Sequence, residues 1–250
     1  RTNDAKLAES AFEAAKSGLT LTRVEPGQYK SNPDPPFTTD TLLMKAGSEM
    51  SWKPGRTMKV AGELYNAGHI TYIRTDSTRT NVGAREDVKS YIKKIWGEDH
   101  LGKGVVGSDV KGDSANVQDA HEAIRPTQPS SQSIEGLSTE QARLYRLVWA
   151  RFAASQMSPS QYERLSMSAS ASGFEKSFTS TASWRVHRGW EAAFEGIRKE
   201  PSIAPPTFNA TVGETLELDS SDADSSNPEL VEDEPKPPAR SKQHSIVQKM

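Results

Sequence analysis

The chain has 250 residues, which is enough for one large domain or two ordinary ones. Its hydrophobic fraction of 34% and charged fraction of 26% are typical of a globular protein with a large wetted surface. The absence of cysteine excludes disulfides, thiolate zinc sites and thiol redox chemistry. No apolar run approaches the roughly 18 to 20 residues that span a bilayer, and no basic and apolar leader opens the chain. We therefore expect a cytoplasmic protein without a membrane partner.

The net formal charge of −2 hides an uneven distribution. Residues 217–234 include eight acidic residues and no basic one, so the rest of the chain carries a formal charge of +6. A basic remainder suits contact with phosphates. The acidic stretch is expected to be a solvated linker, with mimicry of DNA as the alternative.

Hydrophobic periodicity predicts the elements of the first two thirds of the chain. Residues 3–17 have helical spacing and end at Gly18, and residues 19–24 alternate like a strand before a loop over 26–36. Further helices are predicted over 41–50, 57–67, 85–96 and 139–156. The glycine-rich residues 102–112 lack the ending of a phosphate-binding loop, so we expect a flexible surface loop there.

The helix over 139–156 has the strongest local signals. Ser138 and Gln141 have the spacing of a capping box at its start. Four large side chains share one face and are predicted to be buried in the core: Tyr145, Val148, Trp149 and Phe152. After this helix the pattern changes to short alternating segments over 165–171, 174–184 and 215–218, which predicts a β-rich domain.

The first candidate site lies in residues 68–78, which read Gly-His-Ile-Thr-Tyr-Ile-Arg-Thr-Asp-Ser-Thr. If this segment is extended, Tyr72, Arg74 and Asp76 project to one face while Ile70 and Ile73 anchor it. A free phenol has a pKa near 10, so attack on phosphorus requires positive charge nearby. The planar guanidinium of Arg74 also matches the two free oxygens of a phosphodiester. Taken alone, the trio is weak evidence, because a tyrosine near an arginine on a strand is usually a packed ring beside a surface charge.

The second candidate site lies in residues 119–127, which read Asp-Ala-His-Glu-Ala-Ile-Arg-Pro-Thr. A short helical turn, ended by Pro126, would place His121 and Arg125 on one face. Histidine is a candidate acid or base and arginine a candidate phosphate ligand. A salt bridge at a helix end is the alternative explanation of the same residues.

Several segments, in order, resemble the type IA DNA topoisomerases. Residues 71–77 resemble the active-site tyrosine motif of that family, and residues 120–127 resemble its His-Glu-Ala-Ile-Arg-Pro signature. Residues 35–42, Pro-Pro-Phe-Thr-Thr-Asp-Thr-Leu, resemble the segment that leads into the tyrosine domain. Residues 237–240 resemble the point where the chain of the family returns toward its DNA-binding core.

The resemblance implies a multidomain α+β fold in which a helical, winged-helix-like gate domain is inserted in a β-rich arch domain. Residues 1–32 would form the first part of the arch, and 33–159 the gate with the tyrosine. Residues 160–234 would form the second part of the arch with the acidic linker. Residues 235–250 would begin the following domain.

The resemblance also implies a function, which is relaxation of negatively supercoiled duplex DNA without ATP. Tyr72 would attack a phosphate of single-stranded DNA to leave a 5′-phosphotyrosyl link, and strand passage and religation would follow. Arg74 and His121 would act with it at the catalytic site. Six residues are expected to contact DNA or support those that do: Arg125, Glu122, Thr75, Asp76, Lys59 and Arg79. The parent protein is expected to be a monomer associated with the nucleoid.

The cofactor implied by the resemblance is Mg²⁺, bound by an acidic domain that is absent from this chain. Asp222 and Asp224 have the spacing of a metal-binding pair, but they lie in a serine-rich polar run and are interpreted as linker. We therefore assign no metal ligands in this chain and expect it to be inactive alone.

Two alternatives to this function remain at the level of sequence. One is a non-catalytic module that binds single-stranded DNA through stacking aromatics such as Trp52, Trp96 and Trp184. The other is the topoisomerase half of a reverse gyrase.

Overall fold

The structure is a computed structural model, and it describes residues 2–105, 122–198, 205 and 211–216. The helices are α1 (Ala5–Lys16), α2 (Thr39–Met50), α3 (Pro54–Asn66), α4 (Val82–Trp96) and α5 (Thr139–Ala154), with short 3-10 helices at Glu98–His100 and Gly189–Phe194. The strands are β1 (Leu19–Ser31), β2 (Ser160–Ala171), β3 (Phe174–His187) and β4 (Thr215–Leu216). The predicted mixture of helix and sheet is confirmed, whereas the insertion of a gate in an arch stays a prediction. Within the described residues, no helix is both long and apolar enough to cross a membrane.

The described residues form two compact units. A sheet unit contains residues 2–29, 162–186, 205 and 211–216, and a helical unit contains residues 30–105, 122–161 and 187–198. The sequence prediction assigned all of 160–234 to the arch. In the structure, the 3-10 helix Gly189–Phe194 instead packs on α5 of the helical unit, because Trp190, Phe194 and the alanines between them are buried in the core of that unit.

The sheet has the strand order β3-β2-β1-β4. Strand β4 is antiparallel to β1, with Leu19 opposite Leu216 and Thr20 opposite Thr215. The predicted loop over 26–36 is wrong for its first part, since β1 continues to Ser31. Strand β4 pairs with β1 only at Leu19 and Thr20, so among the described residues β1 has an open edge on that side at Pro26. Proline is tolerated at a sheet edge, and Pro26 therefore does not end the strand. Ser172 and Gly173, the latter at φ +75°, join β2 to β3.

Side chains that accept hydrogen bonds determine where the helices begin. The Thr38 hydroxyl accepts a bond from the Thr41 amide to start α2, and the Asn81 side chain accepts one from the Ala84 amide to start α4. Helices α3 and α4 begin three residues before the sequence prediction. Pro54 occupies the first turn of α3, where its missing N–H costs nothing.

Helix α5 lies at the centre of the helical unit. Its capping box between Ser138 and Gln141 is confirmed. The predicted buried face is also confirmed, since Tyr145, Val148, Trp149 and Phe152 are fully buried. Each of these side chains contributes about 1.5–3 kcal/mol by burial. The Tyr145 hydroxyl donates to the Ser131 carbonyl at 2.8 Å, and burial raises the pKa of Tyr145 to about 12.

The glycine-rich loop predicted over 102–112 is described only to residue 105. That described part is anchored to the end of α5, because the Gly102 amide donates to the Gln156 carbonyl at 3.0 Å and the Val105 amide to the Ser155 carbonyl at 2.8 Å. A Cβ added at Gly102 would lie 2.1 Å from the Met157 carbonyl oxygen, so the close approach requires glycine. The rest of the predicted loop lies outside the described residues.

Candidate active site

The segment that carries Tyr72 follows α3 and has irregular backbone instead of a regular strand. Its side chains nevertheless alternate between solvent and core. Tyr72, Arg74 and Asp76 are exposed, and Ile73, Thr75 and Ser77 are buried. This alternation agrees with the expectation that the phenol, guanidinium and carboxylate share an exposed side. The buried residues between them hold the segment to the helical unit.

Thr39, the first residue of α2, binds this segment through its hydroxyl and its backbone. Its Oγ1 donates to the Ile73 carbonyl at 2.7 Å and accepts a hydrogen bond from the Thr75 amide at 2.9 Å. The Thr39 amide donates to the Thr75 carbonyl at 2.9 Å. Three hydrogen bonds therefore connect the start of a rigid helix to the residues on either side of Arg74.

Residues 122–127 hold the same segment from its other end. The Thr71 amide donates to the Arg125 carbonyl at 2.9 Å, and the Thr71 hydroxyl donates to the Ala123 carbonyl at 2.7 Å. The Arg125 amide returns a bond to the Thr71 hydroxyl at 2.9 Å. Antiparallel bridges join Ile70 to Pro126 and Phe37 to Ile124. The two candidate clusters of the sequence are therefore adjacent in space.

The helical turn predicted around Arg125 is wrong over the described residues 122–126, which are extended. Proline disfavours helical geometry in the residue before it, which here is Arg125. The amides of Ala123 and Ile124 donate to the carbonyls of Arg79 and Phe37 and not to a neighbouring turn. His121 lies outside the described residues, so its pairing with Arg125 stays a prediction.

Arg125 and Glu122 form a two-point salt bridge. The Arg125 Nε donates to Glu122 Oε1 at 2.9 Å, and Nη2 donates to Oε2 at 2.8 Å. The remaining Nη1 donates to the Pro126 carbonyl at 3.0 Å. Glu122 also accepts a hydrogen bond from the Asn81 amide, at the residue that caps α4. The salt bridge therefore joins the 122–127 segment to the start of α4, and both charges are already paired.

By contrast, Tyr72, Arg74 and Asp76 make no side-chain hydrogen bond or ion pair to any described residue. The Tyr72 ring is 46% exposed and stacks edge-on against the Tyr65 ring of α3, with 5.4 Å between ring centroids. This contact orients the phenol ring. Within the part of the chain that the structure describes, no other side chain competes for these three groups.

Three other predicted residues have different surroundings. Thr75 is buried, and its hydroxyl accepts a hydrogen bond from the Ser77 amide at 3.1 Å, so it supports the segment from inside. Arg79 is half-buried, and its carbonyl accepts from the Ala123 amide at 2.7 Å. Lys59 is exposed on α3, with no described contact to Tyr72. Geometry brings Thr75 and Arg79 to the site as supports, but it does not bring Lys59 there.

Arg151 of α5 anchors the chain ahead of Thr39. Its Nε donates to the Pro35 carbonyl at 2.6 Å, its Nη1 pairs with Asp34 at 2.5 Å, and its guanidinium stacks over the Phe37 ring. Burial lowers the pKa of Arg151, and Asp34 opposes that shift. Sequence reasoning missed both this anchor and Thr39. The sequence did contain one signal for Thr39. Phe37 is followed by two threonines, and Thr38 alone is enough to cap α2, so Thr39 was free for another role.

The tryptophans considered as a stacking surface have structural contacts instead. Trp52 is buried, and Trp96 packs against Tyr91 and Trp149 in the core. The indole N–H of Trp184 donates to Glu163 at 3.0 Å. No observation on these three rings favours a non-catalytic stacking module.

Comparison with known proteins decides the family. A family model described as DNA topoisomerase matches residues 1–250. The chain belongs to this family. It is 35% identical over 253 residues to DNA topoisomerase 1 of Vibrio cholerae, across 99% of this chain and 27% of that protein. It is 36% identical over 180 residues to DNA topoisomerase 1 of Thermotoga maritima, across 68% of this chain and 28% of that protein.

The structure of full-length topoisomerase I from Thermotoga maritima is similar to the topoisomerase chain described here. The TM-score is 0.68 at 27% identity, over 87% of this chain and 35% of that chain. The resemblance to type IA topoisomerases is therefore confirmed. The chain spans 27% and 28% of the lengths of the two relatives named above.

Proposed function

We propose that this chain supplies the nucleophile of a type IA topoisomerase, and that Tyr72 attacks a phosphate of single-stranded DNA. The observation that supports this proposal is the state of Tyr72. Tyr72 is 46% exposed, and its phenol has no hydrogen bond to a described residue. Its two neighbours are held in place, since Thr71 binds the Ala123 carbonyl and Ile73 accepts a hydrogen bond from Thr39. A nucleophile held in place without a competing partner loses little freedom when its substrate arrives.

The proposed step exchanges one phosphodiester for another. The Tyr72 oxygen bonds to phosphorus as the bond from phosphorus to the 3′ oxygen of the upstream nucleotide breaks. The phenol proton passes to a base or to solvent, and the departing 3′ oxygen takes up a proton. The products are a 5′-phosphotyrosyl link and a free 3′-hydroxyl, so reversal reseals the strand and no ATP is consumed.

Arg74 is the proposed partner of the phosphate. It lies two residues after Tyr72 on the same exposed side and has no described carboxylate partner. Its two-pronged donor set fits the non-bridging oxygens and stabilises the charge that builds up during attack. We assign Asp76 to orienting Arg74 once DNA is bound, and His121 to the same pocket, as the family resemblance implies.

Arg125 and Glu122 have a positioning role in this proposal. Their charges satisfy each other, and the segment between them binds Thr71, the residue before Tyr72. Three of the five N–H donors of Arg125 are already used, two of them by Glu122, and its side chain is only 12% exposed. The salt bridge therefore acts on Tyr72 through the backbone of Thr71.

The described residues around Tyr72 do not fit Mg²⁺. Magnesium prefers several oxygen ligands in octahedral geometry. Asp76 provides one exposed carboxylate, and Glu122 is bound to Arg125 and Asn81. We propose that the metal is held by carboxylates outside this chain, and no step above depends on it.

At the level of the whole protein, we propose relaxation of negatively supercoiled DNA by cleavage, strand passage and religation, carried out by a monomeric parent. The two relatives compared above are named DNA topoisomerase 1. Neither the structure nor these comparisons support the alternative of a reverse gyrase half.

The test uses the full-length enzyme that contains this chain, with single-stranded oligonucleotide labelled at either end. Denaturant-resistant capture of DNA should disappear in Tyr72→Phe, because phenylalanine keeps the ring and its packing but lacks the attacking oxygen. Tyr65→Phe is the matched control, since Tyr65 is 41% exposed and contacts the same ring. It should retain capture.

The position of the label tests the polarity of the link. With a 5′-phosphotyrosyl bond, the 3′-labelled fragment stays on the protein and the 5′-labelled fragment is released. Capture by the Tyr72→Phe enzyme, or retention of the 5′-labelled fragment, would overturn the proposal.

A further inference from the structure

A second group of reactive side chains lies in the helical unit, at the residues that follow α4. Asp99 and His100 belong to the short 3-10 helix Glu98–His100, and His187 is the last residue of β3. One ligand atom from each residue can be chosen so that all three lie within 4.8 Å of one another. The sequence prediction assigned no metal ligands in this chain and did not consider these three residues, of which His187 is distant from the other two along the chain.

The distances within this group are close to those of a coordinated metal. Asp99 Oδ1 is 3.2 Å from His100 Nδ1, and Asp99 Oδ2 is 4.0 Å from His187 Nδ1. Ligands on a tetrahedral ion with bonds of about 2.0–2.1 Å are separated by about 3.3 Å. Asp99 is 67% exposed, so its carboxylate can adjust to an ion, whereas both imidazoles are largely buried. The Asp99 carboxylate is therefore the ligand of this set that can adjust most easily.

Ser158 determines which nitrogen of His187 faces Asp99. Its Oγ donates to the Asp99 carbonyl at 2.9 Å, so its proton is already used. The same Oγ lies 3.3 Å from His187 Nε2 and must therefore accept from Nε2–H. In the neutral ring, Nδ1 then carries the lone pair, which points toward the Asp99 carboxylate. Two electron-rich atoms that face each other across 4.0 Å favour a cation between them.

The scaffold around the group is firm. The Ser158 amide donates to the His100 carbonyl at 2.8 Å, and the Trp190 amide donates to the Ser158 carbonyl at 2.8 Å. The two imidazole rings lie 4.7 Å apart between centroids. The hydrogen bond between Ser158 Oγ and His187 Nε2 is the kind of outer contact that orients metal-binding histidines. The protein therefore orients the His187 ring and holds the backbone of His100 beside it without a metal.

We propose that Asp99, His100 and His187 bind a divalent transition metal of the Zn²⁺ or Co²⁺ type, with solvent completing the coordination. Two imidazoles and one carboxylate suit such ions, whereas Mg²⁺ requires oxygen ligands. This site is distinct from the Mg²⁺ expected to assist DNA cleavage. A bound metal would cross-link the end of α4 to the residues around Ser158 and stabilise the helical unit.

The test titrates the 250-residue chain, prepared without a polyhistidine tag, with CoCl₂ while visible absorption is recorded. We expect one ion per chain with a nitrogen- and oxygen-ligand spectrum that ZnCl₂ displaces and MgCl₂ does not. Asp99→Asn and His187→Asn should each weaken binding by at least about tenfold, since loss of an outer partner alone costs about 10–100-fold. ZnCl₂ should raise the melting temperature of the wild type but not of these variants.

His69→Asn is the matched control, because His69 is a described histidine outside the group, and it should bind cobalt as the wild type does. Asp99→Asn changes an exposed side chain, so the test does not depend on the folding of the His187 variant. Absence of a cobalt spectrum at millimolar metal would overturn the proposal. Equal binding by wild type and Asp99→Asn would do so as well, because the ion would then lie elsewhere.

Discussion

Replacement of Thr39 by valine should loosen the segment that carries Tyr72. Valine keeps the shape of threonine but lacks the hydroxyl, so the Ile73 carbonyl and the Thr75 amide lose a partner while the backbone bond from Thr39 to Thr75 remains. Thr39 is half-buried, so water compensates in part. We expect the substitution to lower the free energy of local opening around Thr75 by about 1–2 kcal/mol. That decrease corresponds to a factor of about 5–30 in the local opening equilibrium.

The assay is hydrogen exchange at the Thr75 amide, measured under native conditions. A local measurement is preferred because a chain with two compact units need not unfold in one transition. Thr139→Val is the matched control, because Thr139 is likewise the first residue of a helix with a capping box but its side chain has no described hydrogen bond. The Thr75 amide should exchange about 5–30 times faster in Thr39→Val than in the wild type. Its exchange rate should be unchanged in Thr139→Val.

Two results would refute this reasoning. Unchanged exchange at Thr75 in Thr39→Val would mean that the hydroxyl does not hold the segment. Equal acceleration in Thr139→Val would mean that the effect is general and not local. In the full-length enzyme, Thr39→Val should slow covalent capture of DNA without abolishing it, because Tyr72 itself is intact.

Three further predictions concern stability, measured by chemical denaturation. Gly102→Ala should lower the free energy of unfolding by about 1–3 kcal/mol, because the new Cβ would lie 2.1 Å from a carbonyl oxygen. Gly55→Ala, with no atom within 4 Å, should instead gain up to about 1 kcal/mol, and equal effects would contradict the geometry. Arg151→Ala should lower the free energy of unfolding by about 2–3 kcal/mol and Asp34→Asn by about 1 kcal/mol, because the arginine is buried and the aspartate is 60% exposed. A larger loss for Asp34→Asn than for Arg151→Ala would be evidence against the anchor. Burial raises the pKa of Tyr145 to about 12, against a free value near 10, so the folded state favours the protonated hydroxyl. The resulting contribution to the free energy of unfolding is complete below about pH 10 and is lost as pH rises from about 10 to 12. Tyr145→Phe should remove this part of the alkaline decline, and an identical decline in both proteins would contradict it.

Local chemistry in the sequence was sufficient to predict several elements. The capping box and the apolar stripe of α5 depend on residues three and four apart, and the structure confirms both. The alternation around Tyr72 likewise follows from the period of an extended chain. The family was recognisable because its motifs are short and contiguous, and the comparison over residues 1–250 confirms it.

Other features depend on partners that are far away along the chain. Residues 122–126 have helix-compatible side chains, but their amides find acceptors at Phe37, Thr71 and Arg79, so they are extended. Strand β1 extends past Pro26 because pairing in the sheet outweighs a local turn signal. In each case a hydrogen bond from a distant segment replaced the one that the local pattern predicted.

The sequence by itself determined which residues could carry the chemistry, since Tyr72, Arg74 and Arg125 are recognisable from motifs alone. The tertiary structure decided how they differ. It pairs Arg125 with Glu122, leaves Arg74 without a described partner, and holds Tyr72 between hydrogen bonds from two other segments. The physical reason is that the availability of a charged or nucleophilic group depends on which partners lie within about 3 Å of it. Folding alone brings those partners together.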